Sequence, residues 1–256
     1  MKNLITILFI FSAYISNAQR TMFGAQNNYV APVAPAIVPT NNLILYLNAN
    51  SYAGNGVAWN DNSTQNNHAT LVGNPIYTSS PASFTFGPNV IATTTKSNVA
   101  LSAATFVAWV NPSQTQGGYT GVIFSRNGFG GSTVPATGLD LYTSNSVGYH
   151  WADHVSTYNW NSNLYVPNNE WSMIAVTVSA TTATAYLCSS IGITTATNTF
   201  SHATLSGLNF FIACDPSDRS TRAFTGKMGT AMIYSTALTQ TDITNIFNAQ
   251  KSTFGL

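Results

Sequence analysis

The sequence predicts an all-β protein, an antiparallel sandwich of two sheets with one short helix near the C-terminus. Three observations carry this. Short apolar runs recur from Leu43 onward, and most of them alternate with period two. Gly, Asn, Pro or Ser punctuate the gaps between them. No run alternates with a long helical pattern, which argues against a parallel α/β sheet.

Residues 1–18 read as a signal peptide. Lys2 precedes an apolar run from Leu4 to Ile15, and small residues stand at Ser16 and Ala18, where cleavage is expected. The run is short for a bilayer span, and no Cys follows it to accept a lipid. The mature chain is therefore expected to be secreted or held at the cell surface, with no membrane span after cleavage. Residues 19–42 carry Pro32, Pro35 and Pro39 without sustained alternation, and read as an extended arm or linker. Such an arm could lie along a neighbouring subunit.

Residues 43–256 form the predicted domain. Its runs are LILYL (43–47), FTF (84–86), TFVAWV (105–110), GVIFS (121–125), LDLY (139–142), WSMIAVTVS (171–179), TATAYL (182–187), LNFFIA (208–213) and MGTAMIY (228–234). In WSMIAVTVS, Ile174, Val176 and Val178 share a face. TFVAWV is apolar on both faces, as a central strand covered on each side must be. In TALTQTDITNIFNAQ, Thr239 caps, Asp242 follows three residues later, and Ile243, Ile246 and Phe247 make an apolar stripe. The predicted core is Phe106, Trp109, Ile123, Trp171, Ile174, Val176, Tyr186, Phe210, Ile212, Ile233, Ile246 and Phe247.

Composition narrows the partners. Only 6% of residues are charged and the net charge is +1, with the basic residues scattered. This argues against nucleic acid as a partner, because neutralising phosphates needs clustered Lys and Arg. A surface of Thr, Ser, Asn and Gln suits an extracellular module or an assembling subunit. Cys188 and Cys214 fit an oxidising compartment, but sequence cannot show that their Cβ vectors converge, so a disulfide stays open.

Four stretches bear a family resemblance. They are LILYLNANSYAGNGVAWNDNSTQNNHATLVGNPIY; TFVAWVNP with IFSR; GYHWADHVSTYNWNSNLYVPNNEWSMIAVTVSATTATAYL; and DPSDRSTRAFTGKMGTAMIYSTALTQTDI. In this order they resemble the laminin G-like domains of bacterial and phage proteins, in the concanavalin A-like lectin/glucanase jelly-roll group. The resemblance implies a jelly-roll sandwich and calcium at the rim of many members. Calcium wants six to eight oxygens, several charged, and Asp61, Asp215 and Asp218 are the loop acids available. Two acidic positions frequent in the family hold Asn48 and Gly229–Thr230 instead. Asp61 reads as an Asx turn and Asp215 as an ion pair with Arg222, so no cofactor is expected and calcium is not favoured.

The stretch GYHWADHVSTYNWN, residues 148–161, holds two of the four histidines and two of the five tryptophans. Read as a strand, it sets His150 and His154 roughly 13 Å apart, too far to grip one zinc. In the plainer reading Trp151 packs inward and His150 bonds across the sheet. In the sharper one, aromatic faces here stack on sugar rings while Asn159 and Asn161 meet hydroxyls. The ligand-binding residues named on that reading are Trp151, His154, Tyr158, Trp160 and Arg126. Glycosidases usually need two facing carboxyl groups; Glu170 is the only glutamate, and no acidic cluster such as E-x-D-x-x-E occurs. The expectation is thus a chain that is not an enzyme. It is a recognition or adhesion module binding glycan or a surface protein. The alternative is a structural assembly protein, such as a virion decoration, a fibre or a surface-layer subunit.

Overall fold

The computed structural model describes residues 36–96, 99–126 and 136–256. The signal segment 1–18 and the arm up to residue 35 lie outside the described residues. Ala36–Leu256 forms one unit.

The strands come in chain order. The first six are β1 (Leu43–Asn48), β2 (Ala58–Trp59), β3 (Ala69–Val72), β4 (Ile76–Ser79), β5 (Ala82–Phe86) and β6 (Ile91–Thr94). Next are β7 (Val99–Leu101), β8 (Ala104–Pro112), β9 (Thr120–Ser125), β10 (Thr137–Leu141) and β11 (Val147–His150). After a short helix α1 (Val155–Tyr158) come β12 (Ser172–Val178), β13 (Thr182–Ser189) and β14 (Gly192–Thr199). β15 (Leu205–Leu208), β16 (Phe210–Ile212), β17 (Gly226–Tyr234) and α2 (Gln240–Gln250) complete the chain.

One sheet runs β14-β13-β12-β8-β17-β5-β4, with β1 also on β17; the other runs β11-β10-β9-β16-β6-β3-β2. The strand pairs of both sheets are antiparallel. Their facing sides make the core, in which Phe106, Ala108, Val110, Ile174 and Val176 meet Ile123, Leu139, Tyr149, Trp151, Phe210 and Ile212.

The double apolar face of β8 has a direct cause. Val107 and Trp109 point away from the core and are covered by Ile243, Ile246, Phe247 and Phe254. Trp109 stacks on Phe247 and Phe254 and donates from Nε1 to Gln250 Oε1 at 2.8 Å. Helix α2 starts with the capping box read from the sequence, with Thr239 and Asp242 bonding each other's backbone amides. Of the predicted core residues, Trp171 alone is only half-buried: it precedes β12 and leans on Phe254.

One reading is corrected here. The stretch after His150 is not strand: the chain turns, His154 caps α1, and Thr157 Oγ1 binds the backbone of Trp151 and His154. Those local side-chain bonds hold a turn that hydrophobic periodicity cannot reveal. Cys188 and Cys214 are both free and buried. Cys188 packs in the layer beneath α2, whereas Cys214 packs beside Ala223 and Ile91, the latter in the other sheet. Burial pushes both thiols up to about 12.

Candidate functional site

The outer side of β9, β10 and β11 supplies the floor of a cleft. Ile123, Leu139 and Tyr149 point into the core, so their neighbours Phe124, Asp140 and His150 face outward, as strand alternation requires. His150 Nδ1 meets Asp140 Oδ2 at 2.5 Å across the β10–β11 pair. Gly148 makes room for this contact, because a Cβ there would fall 2.3 Å from Asp140 Oδ1. The His150 ring lies edge-on to Phe124 and stacks on Tyr158, with centroids 5.4 Å apart.

A shared carboxylate organises the cations beside it. Asp215, fully buried, accepts from Arg126 Nε at 3.0 Å and Nη2 at 3.3 Å, and from Arg222 Nη1 at 2.9 Å. Burial works to raise the Asp215 carboxyl, but the Ser217 amide and the two guanidiniums outweigh it and hold it below the ordinary carboxylate range. Gly121 lets β9 approach this segment, since a Cβ there would sit 2.2 Å from Asp215 N. Arg126 also faces Asp153 at 3.6 Å, and its guanidinium lies over Phe124. Arg222 lies over Tyr119 at 5.3 Å.

Tyr119, Arg126, His150, Asp153, Tyr158 and Arg222 line a cleft of about 270 Å³. Tyr119 donates to Asn159 Oδ1 at 2.8 Å, and burial raises its phenol above the usual range. Among the described residues, twelve outside glycine have positive φ, and eight of those are Asn or Asp, which tolerate it. Of the other four, Tyr119 lines the cleft, Ala152 precedes Asp153, and Ala213 leads to Cys214 and Asp215. Left-handed backbone costs about 1–3 kcal/mol at such residues and persists where the surroundings enforce it. Here it sets the aim of cleft residues.

The sequence-named ligand residues divide. Tyr158 and Arg126 line the cleft. Trp151 does not: it is fully buried, with Nε1 donating to Ala203 O at 2.7 Å, so its faces are closed to a ligand. His154 is exposed but points elsewhere, with Nδ1 accepting from Ser156 N and its ring against Phe200. Trp160 is half-buried and packs edge-on against Tyr149. Sequence reasoning missed Tyr119, Asp153 and Arg222 as partners in one site. Asp140, a charge inside the apolar run LDLY, was a readable signal.

The proposed calcium acids have other partners. Asp61 accepts from the amides of Tyr46, Ser63 and Asn67 and from the Ser63 hydroxyl. Asp218 accepts from Ser220 and Thr221, whose hydroxyls and amides hold its carboxyl far below the usual range. Asn48 and Thr230, at two positions where the family is often acidic, face each other across β1 and β17. Among the described residues, no three His, Cys, Asp or Glu side chains gather as metal ligands.

The fold places the chain among concanavalin A-like sandwiches, and the family comparison agrees. The chain belongs to the Laminin_G_3 family of the concanavalin A-like lectin/glucanases superfamily, whose model matches residues 86–244. No curated protein matches it. Trypanosoma rangeli sialidase in complex with the inhibitor DANA is similar in structure, with a TM-score of 0.59 and 16% identity. That match covers 96% of this chain and 40% of the sialidase chain, so this chain spans about two fifths of its length. Domain 4 of AbnA, a GH43 extracellular arabinanase from Geobacillus stearothermophilus, in complex with arabinotriose, matches with a TM-score of 0.55 and 15% identity, covering 81% of this chain and 99% of that one. A GH54 α-L-arabinofuranosidase matches with a TM-score of 0.55 and 9% identity, covering 77% and 50%.

These neighbours overturn the expectation that the chain is not an enzyme. Chains named sialidase, arabinanase and arabinofuranosidase are similar to it in structure. The carboxylate count was also too narrow a test, because sialidases attack with a tyrosine. At these identities the likeness is one of fold.

Proposed function

We propose that the protein is a secreted or cell-surface glycan-recognition protein, with the cleft over β9–β11 as its saccharide site. The observation that carries this is the convergence of Tyr119 and Tyr158 with Arg126, Arg222, Asp153 and His150 in one cleft. Tyrosine rings suit the C–H faces of pyranoses, while guanidinium donors and carboxylate acceptors suit their hydroxyls. The lectin-like fold and the glycan-complexed neighbours support the reading. For localisation, the support is the sequence of residues 1–18. Among the described residues no helix is long and apolar enough to cross a membrane.

A glycan array on the intact protein, followed by calorimetry on the best saccharide, tests this. Tyr158→Ala is expected to weaken binding by about 1–3 kcal/mol, the scale of an aromatic anchor. An array without binders, or a variant that binds like the parent, would refute the site.

The assembly reading keeps one specific support. β14 is an edge strand of eight residues, and no charged residue occurs from Trp171 to Cys214. Natural edge strands are usually guarded by charge, Pro or a bulge. A strictly monomeric mass by light scattering at high concentration would remove this reading.

A further inference from the structure

We propose that the saccharide selected by this cleft carries a carboxylate, read by the Arg126 and Arg222 guanidiniums; the inference rests on the glycan-binding reading above. The argument begins with charge. Two guanidiniums share the single buried carboxylate of Asp215. Asp153, 3.6 Å from Arg126 and with its side chain 34% exposed, balances the second guanidinium in formal charge, but Arg222 has no carboxylate partner among the described residues besides the shared Asp215.

Hydrogen-bond capacity points the same way. Arg126 uses Nε and Nη2, and Arg222 uses Nη1 on Asp215 and on Ser217 Oγ. Each guanidinium has five N–H donors in a fixed fork. The Nη1 group of Arg126, and Nε and Nη2 of Arg222, have no bond among the described residues, and both side chains line the cleft. The aromatic rings of Phe124 and Tyr119 lie against the two guanidiniums, and Asp215 fixes their planes. Such a preordered pair of forks matches a planar carboxylate and forms short charge-assisted bonds with it. A hydroxyl matches it less well, because it is uncharged and cannot accept from two parallel N–H donors of one fork as a carboxylate does. His150 and Asp153, on the same lining, remain to accept from ring hydroxyls, and the tyrosines to cover a ring face.

Matched probes test this on the intact protein. Uronate- and sialate-bearing oligosaccharides are titrated beside their carboxyl methyl esters, which keep the shape and lose the charge. The acid is expected to bind roughly tenfold or more tighter than its ester, with the gap narrowing as salt rises. Arg222→Gln should bring the acid down to the ester's affinity, whereas Arg222→Lys should retain part of the gap. If Arg222→Gln fails to fold, the acid–ester comparison on the parent protein still decides. Equal binding of acid and ester, or tighter binding of neutral saccharides, overturns the inference and leaves the glycan site standing. No binding of either class overturns both.

Discussion

Asp215 shows how one residue serves both fold and site. Its carboxylate holds Arg126 and Arg222 in place, and with no exposure it cannot be replaced by water. Asp215→Asn would leave Arg222 without a carboxylate partner and Arg126 with only the partly exposed Asp153, and is expected to cost about 3–5 kcal/mol of unfolding free energy, read by urea denaturation. The pH dependence follows from the sign of its shift. Its folded carboxyl titrates below the ordinary value, so its contribution is present above about pH 3.9 and is lost as pH falls through the depressed folded value. Acid unfolding of Asp215→Asn should lack that component; an identical acid limb in both proteins would contradict it. At this scale the sequence was partly legible. Arg126 and Tyr158 stood out as a cation and an aromatic beside polar turns. Trp151 packs inward and His150 bonds across the sheet, as the plainer reading had it; naming Trp151 also as a ligand residue failed because a tryptophan near histidines reads alike whether it packs or stacks. Tyr119 and Arg222 could not be joined to them, since β9 meets the Cys214–Asp215 segment only in three dimensions.

At the scale of elements, patterns with a regular period were readable and irregular turns were not. The double apolar face of β8 announced a cover on both sides, and α2 with Phe254 is the outer one. The capping box announced where that helix starts. Thr239→Ala is expected to cost about 1 kcal/mol, the usual scale for a lost N-cap, without altering glycan binding. An unchanged thermal midpoint would mean that the helix is held by packing alone. Helix α1 lacked any such signal: four residues cannot show an apolar stripe, and its turn rests on Thr157 and His154 bonding the backbone. The polar strand β14 was missed for a related reason. An edge strand with an exposed face does not need apolar alternation.

Over the whole molecule, the order of motifs was enough for the family, and the structure shows why. The first stretch carries the β2–β3 pair and the third the β12–β13 pair, while the second carries one interior strand of each sheet, β8 and β9, and the fourth carries β17, which pairs with β8. The cleft is assembled from β9, β11, the turn after it and the segment following β16, which are far apart in sequence. The candidate site therefore became legible only with the fold. The most direct test of the account is a chemical-shift map of the intact protein titrated with its best-binding saccharide. The account predicts that the largest shifts fall on Tyr119, His150, Asp153, Tyr158 and Arg222. Shifts centred on His154 and Phe200, or on the face beneath α2, would place the ligand elsewhere and contradict it.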